Sequence, residues 1–131
     1  ASTHQWPLYP GTGAPRERGV GNIVNACLPA LSGSNEFRSA VEAHVLPALE
    51  AFAPDLILVS AGFDGHRDDP LATLNLVEED YRWVTEKLMS AADRHCGGRL
   101  VSALEGGYDL EALGLSAAAH VRALMEVRPD G

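Results

Sequence analysis

The chain has 131 residues, of which 46% are hydrophobic and 21% charged, and its 18 acidic against 10 basic side chains give a formal charge of −8. This is the composition of a globular domain, or of a piece of one, with enough length to bury a core without disulfides. So acidic a chain is ill suited to phosphate backbones or anionic membranes, and it has neither an apolar run of spanning length nor a signal-peptide pattern.

Cys27 and Cys96 stand far apart in no ligand-type spacing, in keeping with a reducing, cytoplasmic location. Residues 1–21 carry seven breakers (Pro7, Pro10, Gly11, Gly13, Pro15, Gly19, Gly21) and read as a long loop after a very short strand. A second short strand is expected from Asn22 to Leu28, ended by Pro29. Phe37, Ala40, Val41, His44, Val45, Ala48, Leu49 and Phe52 then recur at steps of three and four, the stripe of a helix. Pro47 lies inside that stripe and should kink it, and His44 reads as a partly buried structural histidine.

Leu56 to Ser60, LILVS, is a continuous apolar run suited to a strand buried on both faces of a parallel sheet. A polar loop from Ala61 to Asn75 leads to a second helix. Its first turn holds Glu78, Glu79 and Asp80, its buried side Tyr81, Val84, Leu88 and Ala92, and Gly97 and Gly98 end it. Leu100 to Leu104 is a further strand, and Asp109 caps a last helix with the apolar stripe Leu110, Leu113, Ala117, Val121, Leu124 and Met125. His95 and His120 read as helix-surface residues. The order β, β-α, β-α, β-α predicts an α/β fold, a mostly parallel sheet layered with helices.

In such sheets function gathers in loops at the carboxyl ends of strands. Two of these loops are chemically loaded: SAGFDGHRDDP at 60–70 and LEGGYD at 104–109. Both should open on one sheet edge. Asp64 would there offer a carboxylate to a cation, and Tyr108 a hydroxyl to a developing oxyanion. Taken singly, Asp64 also reads as a turn former and Tyr108 as a packing residue. Asp68 and Asp69 read as solvated turn residues, and His66 as a residue supporting the metal ligand from behind.

The ordered set HQWPLYPGTG (4–13), VSAGFDGHRDDPL (59–71) and LEGGYDL (104–110) resembles the histone deacetylase family, whose bacterial branch includes acetylpolyamine amidohydrolases. The GFD-plus-DPL form is similar to the class II-like branch. The resemblance implies an incomplete portion of the arginase/deacetylase-type fold and a zinc-dependent amidohydrolase, a hydrolase removing acetyl groups from acetyl-lysine or acetylpolyamines. It makes Asp64 a zinc ligand and Tyr108 the donor to the scissile carbonyl and its tetrahedral oxyanion. It places Tyr9 on the substrate-tunnel wall and Leu71 at the rim, with Gly106 and Gly107 beside the acyl chain. Ser2 and Thr3 match positions near a structural monovalent cation in the parent protein.

The family also uses a D-x-H pair of zinc ligands and a tandem histidine. Neither occurs at an equivalent place here; Asp64-Gly65-His66 belongs to the later motif. The expectation is therefore that residues 1–131 form the C-terminal part of one deacetylase domain whose upstream part would precede Ala1. Such a piece is expected to be inactive alone and to self-associate through an exposed sheet edge. The competing readings are a non-catalytic interaction module derived from a deacetylase fold, and an unrelated α/β small-molecule binder. The absence of a glycine-rich phosphate loop at a helix start disfavours the latter.

Overall fold

The computed structural model describes residues 1–126. Strands β1 (Ser2–Gln5) and β2 (Asn25–Leu28) pair in parallel, bringing His4 beside Cys27. The breaker-rich segment between them is held by Asn25, whose amide donates to the carbonyls of Ala14 and Glu17. The second strand is shorter than expected and begins at Asn25.

Helix α1 (Ser34–Ala40) and helix α2 (Leu46–Phe52) are joined by a π-helical stretch, Val41–Val45. Pro47, in the first turn of α2, has no N–H to offer the Ala43 carbonyl, and its ring crowds that oxygen. The wider turn before it absorbs the mismatch, with the Leu46 N–H reaching back to the Val41 carbonyl. The expected break is therefore present as a π turn. It leaves His44 exposed, a correction to its reading as a partly buried residue.

Strand β3 (Ile57–Ala61) and strand β4 (Leu100–Leu104) pair in parallel with Ile57 opposite Leu100 and Ala61 opposite Leu104. Helix α3 (Glu78–Cys96) runs between them in sequence and stops at Gly97, which takes the left-handed conformation with φ 57°. Helix α4 (Leu110–Met125) starts at Asp109, whose carboxylate accepts from the Ala112 N–H as expected of an N-cap. Among the described residues the strands thus form two parallel pairs, not one continuous sheet.

The core joins the two pairs from one side. Leu28, Phe37, Val41, Ala61, Phe63, Leu74, Leu76 and Tyr81 form its main cluster, and Ile57, Ala91, Ala92 and Cys96 a second. Asp80 clasps α3 to α1. It is fully buried, with one carboxylate oxygen taking Arg38 and the other taking the Ser34 hydroxyl and the Val77 N–H. A buried carboxylate is tolerated because every lone pair faces a donor.

Two burial expectations need correction. β3 is covered on one face only: Leu58 is 72% exposed, beside its cross-strand partner Val101 at 55%. In α4 the buried side is Ala112, Ser116, His120 and Ala123, while Leu110, Val121 and Met125 face outward. Small side chains let α4 lie close on α3, so close approach decides the buried face in place of the larger apolar residues.

Candidate functional site

The β3–β4 register carries both loaded loops off the same edge. The ladder runs past the strand ends: the Glu105 N–H donates to the Ala61 carbonyl at 3.0 Å, and the Phe63 N–H to the Gly106 carbonyl at 2.8 Å. This seats the half-buried Asp64 against the glycine loop. A Cβ placed on Gly106 would stand 2.9–3.0 Å from the Asp64 carboxyl atoms, closer than real contacts allow. Gly106 is thus a residue of close approach to the carboxylate. Gly107 is pressed instead against Leu113 and Phe63, where a Cβ would stand 2.8 Å and 3.2 Å from their side chains, and it has a backbone few other residues adopt, φ 137°.

Phe63 anchors the loop from beneath. Its ring meets Tyr81 edge-on at 5.1 Å and His120 at 5.8 Å, and its carbonyl accepts from the Tyr81 hydroxyl. Burial, reinforced by the negative charge of Asp64, raises the Tyr81 phenol pKa well above its ordinary value, so this hydroxyl stays a donor.

His120 is 8% exposed, which corrects its reading as a surface residue. Its Nδ1 lies 2.7 Å from Thr85 Oγ1 and its Nε2 2.8 Å from Ser102 Oγ. The Thr85 hydroxyl already donates to the Tyr81 carbonyl. Thr85 must therefore accept from Nδ1–H, leaving Nε2 to accept from Ser102. Burial lowers the His120 pKa and holds the ring in this neutral form.

His66 is buried, but its ring nitrogens address Asp68 and Glu78. Nδ1 accepts from the Asp68 N–H, and Nε2 lies 3.5 Å from the Glu78 carboxylate without a hydrogen bond. Its tie to the Asp64 loop runs through the backbone, where the His66 N–H donates to the Phe63 carbonyl.

Asp68 is exposed, as expected of a turn residue, whereas Asp69 is only 7% exposed. Asp69 Oδ1 accepts from the Leu71 and Ala72 N–H groups and Oδ2 from the Tyr108 N–H at 2.9 Å. Its reading as a solvated turn residue is corrected accordingly. An aspartate before Pro-Leu-Ala, able to bond backbone two and three residues on, was the available signal. The cross-loop bond left no trace in sequence spacing.

Tyr9 and Asp64 border one cleft of about 1050 Å³ that opens between β1 and β3, with Ser2 and Thr3 also on its wall. Tyr9 is 94% exposed, and the Ser2 hydroxyl is engaged with His4 Nδ1. Leu71 and Tyr108 are exposed and are not on the wall of that cleft; Asp69 links their backbones. Among the described residues no three His, Cys, Asp or Glu side chains gather to hold a metal. A catalytic zinc needs three protein ligands, so these residues do not by themselves fit that ion.

The sequence matches the histone deacetylase domain family over residues 1–124. It is 41% identical over 114 residues to a probable deacetylase of Archaeoglobus fulgidus, a match covering 84% of this chain and 32% of that protein. It is 45% identical over 92 residues to a histone deacetylase-like amidohydrolase of Pseudomonas aeruginosa, covering 70% of this chain and 24% of that one. Among solved structures, the HDA15 HD domain superposes with a TM-score of 0.85 at 36% identity, over 95% of this chain and 36% of its own. Clr3, a histone deacetylase, superposes at 0.84 and 32% identity, over 99% and 23%. The chain spans about a third or less of the length of these relatives.

Proposed function

The chain belongs to the histone deacetylase family, and from that premise we propose that it carries one part of the active site of a zinc-dependent amidohydrolase acting on acetylated amines. The substrate class is acetyl-lysine or an acetylpolyamine, and the location cytoplasmic. The observation that carries the reading is the β3–β4 ladder, which delivers Asp64 and the Tyr108 loop to one edge with Gly106 pressed against the carboxylate.

Asp64 is one metal ligand, and the remaining ligands and the general base belong to polypeptide outside these residues. Residues 1–131 are then the C-terminal part of a single deacetylase domain, inactive in isolation. Tyr108 is the oxyanion donor: its hydroxyl meets negative charge that appears only as the carbonyl becomes tetrahedral, so it lowers the barrier without tightening ground-state binding. Gly106 and Gly107 keep side chains out of the path of the acyl group. Tyr9 and Leu71 contact the substrate chain.

The test is Tyr108→Phe in a domain-length protein containing these residues, assayed on an acetyl-lysine peptide and on an acetylpolyamine. Loss of one oxyanion donor should lower kcat by about 100- to 1,000-fold with KM little changed. Unchanged kcat would reject the assignment.

The bare sheet face around Leu58 and Val101 favours a second reading, a non-catalytic interaction module. Together with the open sheet edge, the same face would drive self-association of the isolated chain. That reading stands if the domain-length protein has no deacetylase activity yet still binds a partner through this face.

A further inference from the structure

We propose that Asp69 is a positioning residue for Tyr108, its carboxylate acting as a strap between the loop that follows β3 and the loop that follows β4. The inference rests on Tyr108 being the oxyanion donor and adds what holds it in place.

Both carboxylate oxygens are committed to backbone N–H groups. Oδ1 accepts from Leu71 at 2.9 Å and Ala72 at 3.3 Å, closing the turn around Pro70; Oδ2 accepts from Tyr108 at 2.9 Å, 39 residues away. Asp69 is buried, where charge-assisted hydrogen bonds gain strength from the poor competition of water.

The need for a strap follows from what surrounds Tyr108. It comes after Gly106 and Gly107, the latter at a φ open mainly to glycine, so the incoming backbone is free to pivot. Its own side chain is more than half exposed and receives little support from packing. On the far side Asp109 fixes the chain by capping α4. Asp69 supplies the matching restraint on the near side, so the Tyr108 Cα is held from both directions. Through the same carboxylate the Leu71 turn and the tyrosine are kept in register.

An amide at position 69 offers only one acceptor oxygen and turns an NH2 toward an N–H donor, so Asp69→Asn should release one end of the strap. The experiment compares wild type, Asp69→Asn, Tyr108→Phe and the double variant in the domain-length protein, with kcat, KM and bound zinc measured for each. A displacement of about 1 Å in a catalytic group costs on the order of 100-fold, which sets the kcat loss expected for Asp69→Asn, with KM and zinc content near wild type. In the Tyr108→Phe background the same substitution should cost less than about 2-fold, because the group it positions is already gone.

Multiplicative losses in the double variant, or an Asp69→Asn enzyme with wild-type kcat, would overturn the positioning role alone. A Tyr108→Phe enzyme with wild-type kcat would overturn the functional reading and the positioning role with it. If Asp69→Asn does not fold, Asp69→Ser serves in its place. Its hydroxyl can still accept within the local turn but lacks the second oxygen that reaches Tyr108, and the same four-way comparison decides.

Discussion

The β3–β4 pair and the β1–β2 pair are built on the same parallel ladder but are held very differently. β3–β4 has α3 and α4 on one face, an aromatic anchor at Phe63 and a buried polar chain from Ser102 through His120 to Thr85. Between β1 and β2 the chain runs through a proline- and glycine-rich segment in which Tyr9 and Val20 are almost wholly exposed. Asp64 and Tyr108, the residues assigned to metal and oxyanion, sit on the firmly held pair, and Tyr9, assigned only to the substrate wall, sits on the other. Chemistry needs fixed geometry, whereas a tunnel wall is completed by whatever packs against it.

Truncating one aromatic ring in each region should have very different effects on stability. Phe63→Ala removes a ring packed between Tyr81 and His120 and should destabilise the protein by about 3–5 kcal/mol. Tyr9→Ala should change stability by no more than about 0.5 kcal/mol. Denaturant unfolding of the two variants checks this, and equal losses would show that the two regions are equally well packed.

The β3–β4 side should also respond to pH, by a smaller amount. The buried His120 has its pKa held below the ordinary 6.5, so on acidification the unfolded chain binds this proton before the folded one. The contribution of His120 is therefore fully present above pH about 6.5 and declines as pH falls through the folded-state pKa. Unfolding midpoints between pH 7.5 and 5.5 should fall more steeply for wild type than for His120→Gln. Parallel slopes would mean that folding does not lower the proton affinity of the ring.

How much of this was legible in the sequence depends on the kind of interaction. The order of elements, the bounds of β4 and the Asp109 cap follow from local rules of apolar runs, glycine stops and capping, and the structure reproduces them. The buried face of α4 differs from the expected stripe because periodicity marks apolar positions without saying how closely two helices approach. Alanines and Ser116 won the interface on size. His120 and Asp69 depart from their sequence expectation for a different reason. Both are buried because partners 18 to 39 residues away satisfy them, and such pairings leave no spacing pattern. The π turn before Pro47 lies between these cases: the proline announced a disturbance, and only the backbone shows which form it takes.

If Asp64 is a metal ligand in an assembled deacetylase site, zinc retention depends on its carboxylate. The direct measurement is the zinc content of the purified domain-length protein after dialysis against dilute zinc, beside Asp64→Ala prepared in parallel. Near-stoichiometric zinc is expected in the first and its loss in the second, with the fold retained by circular dichroism. Equal zinc in both would contradict that ligand role.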